Sequence, residues 1–249
     1  MSRAHSFVGF LAVCIILIAG CDSPPDEQAD EPPGTEATEA EEQLEAEQLE
    51  ELDEETRQAA LLDPELVTDQ APDDFQVAFE TTRGEFVVDV DRQWAPHGAD
   101  RLFNLVRIGY YDDVAFFRVI DNFMAQFGIH DDPEVNDTWR RAEIPDDEVA
   151  RSNERGTLTF ATRGPDTRTT QLFVNLNDNP DLDDQGFSPV GEVAEGMDVV
   201  DSLYSGYGEG APQGDGPSQQ RIQQEGNDYL RDEFEDLDWV ESASIVTGD

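Results

Sequence analysis

From Phe75 onward, apolar residues alternate with polar ones in short runs, and runs of this length bury one face only when they pair side by side into a sheet. Phe75, Val77 and Phe79 are followed by Phe86, Val88 and Val90, with Thr82-Arg83-Gly84 between the two sets, which predicts a β-hairpin. Further strands are expected over 114–120, 157–161, 171–176 and 188–193, each bounded by Gly, Pro, Asn or Asp, with a last one over 239–246. Helical spacing is rarer. Pro96 stands at a first helical position, Ala99, Leu102, Phe103 and Val106 share one face, and Gly109 marks the end. Shorter helices are expected over 197–204, through Val199, Val200 and Leu203, and over 219–234, through Ile222, Tyr229, Leu230 and Phe234. The fold class is therefore mainly β, with a closed antiparallel barrel of about eight strands flanked by two or three helices.

The N-terminal part is built differently. Arg3 and His5 precede an uncharged stretch over 7–20 that is of signal-peptide length and short for a transmembrane helix. It closes with Leu17-Ile18-Ala19-Gly20-Cys21, which resembles a bacterial lipobox. The resemblance implies cleavage before Cys21 and lipidation of its sulfur, hence an exported, membrane-anchored lipoprotein on the periplasmic or cell-surface side. An ordinary signal peptide or an uncleaved anchor is the alternative. Residues 21–71 are rich in Glu, Asp, Pro and Ala, and a segment with so few apolar side chains cannot bury enough surface to fold alone. They read as an acidic tether, in which Leu44, Leu49, Leu52 and Leu61 permit a helix able to dock. The chain thus divides into 1–20, 21–71 and a folded domain over 72–249.

Charge excludes several functions. The formal net charge is -43, and all 15 basic residues are arginine against 58 carboxylates. Such a surface repels nucleic acid. The tether accounts for only part of the excess, and a lysine-free acidic domain resembles proteins from high-salt environments. The 2 cysteines, Cys14 and Cys21, both lie near the N-terminus, so the domain has no thiol for a disulfide, a thiolate metal site or a nucleophile. His97 and His130 sit in no metal-ligand spacing, and the acidic clusters Asp131-Asp132 and Asp146-Asp147-Glu148 lack an EF-hand pattern. No metal and no cofactor are expected.

The run Phe116-Phe117-Arg118-Val119-Ile120-Asp121-Asn122-Phe123-Met124-Ala125-Gln126-Phe127-Gly128 resembles the cyclophilin signature, in which a strand presents an arginine ahead of Phe-Met-x-Gln. Phe160-Ala161-Thr162-Arg163-Gly164-Pro165 and Thr170-Gln171-Leu172-Phe173 resemble the second signature of that family. Leu182-Asp183, Val190-Gly191-Glu192-Val193 and Gly196-Met197-Asp198-Val199-Val200 continue the match in the same order. The resemblance implies a peptidyl-prolyl cis-trans isomerase that acts as a monomer on proline-containing polypeptides. It implies Arg118 and Gln126 as catalytic residues. Phe123, Met124, Phe173, Leu182 and Phe187 would bind the proline side of the substrate, Gln171 would orient Arg118 or a substrate carbonyl, and Ala161 and Thr162 would align the peptide through their backbone. Thr162 stands where the family commonly has asparagine. Asp181 and Phe187 stand near the tryptophan and histidine of cyclosporin-sensitive members. A noncatalytic peptide-binding chaperone or assembly module on the same fold is the alternative reading.

Overall fold

The computed structural model describes residues 52–246; Cys21, the expected signal peptide and most of the expected tether lie outside the described residues. The hairpin forms as the alternation requires. Strands β1 (Asp74–Thr81) and β2 (Gly84–Asp91) pair antiparallel, with Phe79 opposite Phe86, Val77 opposite Val88 and Phe75 opposite Val90. Phe79 and Phe86 stack at 4.9 Å. All these apolar side chains are buried, so the period of two marks a single core-facing surface.

The remaining strands are β3 (Val114–Ala115), β4 (Arg118–Ile120), β5 (Met124–Phe127), β6 (Thr157–Phe160), β7 (Leu172–Asn175), β8 (Pro189–Glu195) and β9 (Trp239–Val246). They form one nine-stranded sheet in the order β3-β9-β1-β2-β8-β6-β7-β5-β4, and the strand pairs within it are antiparallel. Its two edge strands, β3 and β4, are separated in the chain only by Phe116 and Phe117. The sheet must therefore curl until its edges meet. No ladder joins β3 to β4 among the described residues, so the expected closed barrel is a curled sheet whose ends are linked by the chain. The strand expected over 114–120 is accordingly two strands, with Phe116 and Phe117 between them at the seam.

Among the described residues there are six α-helices, where two or three were expected beside the barrel and one more was permitted in the tether. Helix α1 (Glu54–Leu62) lies in the segment read as tether, α2 (Pro96–Arg107) is the amphipathic helix read from the sequence, and α3 (Pro133–Trp139) was not expected. Helices α4 (Met197–Asp201), α5 (Gln219–Glu225) and α6 (Asn227–Glu233) complete the set. Helix α2 buries Ala99, Leu102, Phe103, Leu105 and Val106 against the curled sheet. It ends in a six-to-one closure, with Gly109 N–H donating to Val106 O and Tyr110 N–H to Leu105 O, each at 3.0 Å. The long helix expected over 219–234 is broken at Gly226, whose φ of 66° and ψ of -156° no helix allows. A Cβ there would stand 2.1 Å from Asp131 O, so the break is imposed by the neighbouring loop.

Packing onto the domain extends upstream of residue 72. Ala60, Val67 and Ala71 belong to the main apolar core, and Trp139 Nε1 donates to Leu61 O at 3.0 Å. The segment has too few apolar residues to fold alone, and those few are spent on docking to the domain.

Candidate active site

Pleating divides the side chains of β5 and β7 between two surfaces. Ala125, Phe127, Leu172 and Val174 point into the main core. Met124 and Phe173 point to the other face, where they form a separate apolar cluster with Leu182, packed by Ile120, Phe123, Ala161 and Phe187. This cluster floors a groove of about 320 Å³. Phe173 and Phe187 meet edge to face at 5.8 Å. Leu182 is delivered by a 3₁₀ turn (Pro180–Gln185), which Gly186 closes in a left-handed conformation.

Arg118 enters from β4 directly opposite Gln126 in the β4–β5 register. Arg118 Nη1 donates to Gln126 Oε1 at 3.1 Å, and Gln126 Nε2 donates to Gln171 Oε1 at 2.9 Å. The guanidinium carbon stands 5.9 Å from the Phe123 ring centroid, and Nη1 lies 3.6 Å from Met124 Sδ. A relay of polar groups therefore runs along one wall of an apolar pocket. Thr162 and Ala161 also line the groove. Ala161 N–H is engaged with Gln171 O at 2.9 Å, and the Thr162 hydroxyl bonds within the turn that includes Gly164 and Thr167.

All ten residues read from the sequence line this one groove: Arg118, Phe123, Met124, Gln126, Ala161, Thr162, Gln171, Phe173, Leu182 and Phe187. Asp181 does not contribute; it is exposed on the 3₁₀ turn. His97 stands outside the groove at the start of α2, and His130 Nδ1 accepts the Asp132 N–H at 2.9 Å. Sequence reasoning missed Arg140 and Arg163 at the rim and, above all, Glu209. The Glu209 carboxylate accepts from Arg118 Nε and Nη2 at 2.7 Å each. The Arg118 hydrogen bonds hold this carboxyl below the usual glutamate range, although partial burial opposes them. One glutamate among 58 acidic residues gives no local signal of such a role.

Geometry of this kind defines a class: a curled β-sheet that carries an open groove with an apolar floor and a cation fixed in its wall. The family model described as cyclophilin type peptidyl-prolyl cis-trans isomerase/CLD matches residues 76–226, more than half of the sequence. The chain belongs to that family, and it is an enzyme of the peptidyl-prolyl cis-trans isomerase class. The peptidyl-prolyl cis-trans isomerase of Acinetobacter baylyi is 34% identical over 155 residues, which cover 59% of this chain and 81% of the relative. Peptidyl-prolyl cis-trans isomerase B of Escherichia coli is 34% identical over 136 residues, 51% of this chain and 82% of the relative. Among solved structures, a cyclophilin-type isomerase of Cryptosporidium parvum superposes with a TM-score of 0.53 at 18% identity, over 71% of this chain and 99% of its own.

Proposed function

We propose that the chain isomerises prolyl bonds in exported polypeptides, held at a membrane surface by a lipid on Cys21, and that Arg118 supplies the catalytic interaction. Amide resonance sets a barrier of about 18–20 kcal/mol and leaves uncatalysed isomerisation on a scale of roughly tens of seconds. Rotation forms and breaks no covalent bond. It removes resonance and returns a lone pair to the proline nitrogen, so a donor aimed at that nitrogen stabilises the twisted state more than either planar one. The observation that carries the reading is the placement of the Arg118 guanidinium against Met124 and Phe123 while Gln126 fixes Nη1. Met124, Phe173, Leu182 and Phe187 offer the pocket for the proline ring. A related Cryptosporidium parvum structure was determined in the presence of the dipeptide Ala-Pro, in keeping with a ligand of this class.

The test is kcat/KM on a proline-containing peptide, with circular dichroism as a check of folding. Arg118→Ala is expected to lose about 10²- to 10³-fold, by analogy with removal of a preorganised oxyanion donor. Arg118→Lys should not restore it, because a flexible point charge lacks the planar fork. A folded Arg118→Ala variant of near wild-type activity would defeat the mechanism. Anchoring is tested separately by labelling with a radioactive fatty acid: Cys21→Ser should carry no label and should leave the membrane fraction. Each buried acyl CH₂ adds about 0.8 kcal/mol of membrane affinity, so loss of the lipid should release the protein outright.

A further inference from the structure

We infer that Glu209 is a positioning residue for Arg118, holding the guanidinium by one edge so that its remaining donors face the proline pocket. The inference rests on the isomerase reading above and adds a part of the machinery contributed by a loop far from the strands of the groove. A guanidinium has five N–H donors in one plane. Glu209 takes one on Nε and one on Nη2, and Gln126 takes one on Nη1. That leaves one on each terminal nitrogen, and Nη1 already lies beside Met124 Sδ in the apolar cluster. Without Glu209, the long, flexible side chain would be held only by Gln126, the Met124 sulfur and the face of the Phe123 ring.

The loop that carries Glu209 is built around it. Gly216 N–H donates to Glu209 O at 2.9 Å, Ala211 N–H to Gly216 O at 3.0 Å, and Gly210 N–H to the Glu209 carboxylate at 2.9 Å. A Cβ at Gly214 would fall 2.3 Å from Glu209 O, so the loop can fold back this tightly only with glycine there. Its stem is fixed as well: Tyr207 packs edge to face on Phe234 at 5.0 Å, within the apolar cluster that includes Ile222, Tyr229 and Leu230. A carboxylate seated this firmly is suited to fixing its partner, whereas a latch that must leave for substrate to bind would need a loop free to move.

The charged groups that line the groove are Arg118 from β4, Arg140 just after α3 and Arg163 from the 162–167 turn; the last two pair with Asp137 and Glu143. With the Glu209 carboxyl held below its usual range, the pair stays intact at neutral pH and is lost only on acidification.

The experiment measures kcat and KM separately across pH for the full chain and for Glu209→Gln and Glu209→Asp, all checked for thermal stability. Glu209→Gln is expected to lower kcat about tenfold, with KM changed less than about twofold, as befits an interaction realised in the transition state. It should also abolish the acid limb that the wild type shows below the glutamate range, and Glu209→Asp should recover part of the loss. A Glu209→Gln enzyme with unchanged or raised kcat, or with the wild-type acid limb, overturns the assignment while leaving the isomerase reading standing. A wild type inactive on every proline peptide overturns both.

Discussion

Asp147 joins two parts of the domain through one carboxylate. It accepts the His97 N–H at 3.1 Å and the Gly98 N–H at 3.0 Å, and so caps α2, whose own N-cap residue, Ala95, makes no side-chain cap bond. It also pairs with Arg168 Nη2 at 2.9 Å, and the two side chains are only 4% and 1% exposed. Arg168 Nε and Nη1 find no hydrogen-bond partner, so this cation depends heavily on Asp147 and the more distant Asp146. Asp147→Ala should lower the free energy of unfolding by about 3–5 kcal/mol, read from urea titration, because it strands a buried charge. A loss under about 1 kcal/mol would mean that the pair is effectively solvated. In the sequence, the run Asp146-Asp147-Glu148 is one acidic cluster among many. Its buried role depends on Arg168, which is 21 positions from Asp147.

Among the elements, α1 is the one that the sequence permitted without fixing its extent or its partner. Asp53 caps it through Thr56 N–H at 2.8 Å, and Glu54 and Glu55 suit its first turn, so its local chemistry is sound. It has only Ala60 fully buried, too little apolar surface to announce a docked helix. Removing residues 52–71 should cost on the order of 3 kcal/mol through lost apolar burial at Val67, Ala60 and Ala71 and the lost Trp139–Leu61 hydrogen bond. The comparison is the urea midpoint of a chain starting at residue 72 against one starting at residue 52. Equal midpoints would return this segment to the status of a tether. The strands were far easier to read. The alternation of β1 and β2, the Leu158 and Phe160 alternation of β6 and the Leu-Phe-Val run of β7 are written in neighbouring residues.

For the whole molecule, charge sets the response to solvent. Salt weakens the surface pairs, but 15 arginines cannot neutralise 58 carboxylates, so repulsion dominates what is screened. The Debye length falls from about 30 Å at 0.01 M to about 3 Å at 1 M salt. The melting temperature should therefore rise over that range of NaCl, and a flat or falling curve would refute the balance. The same scale separates what the chain states locally from what folding adds. Strand and helix periods were legible because each follows from the pleat or pitch of a short segment, and the arginine, glutamine and aromatic side chains of the groove were legible through the resemblance of their runs to the cyclophilin signatures. The seam between β3 and β4 and the clamp of Glu209 on Arg118 were not. Glu209 and Arg118 are 91 positions apart. A local pattern records which face of a segment leaves water, whereas the partner it meets is chosen by the packing of the entire chain.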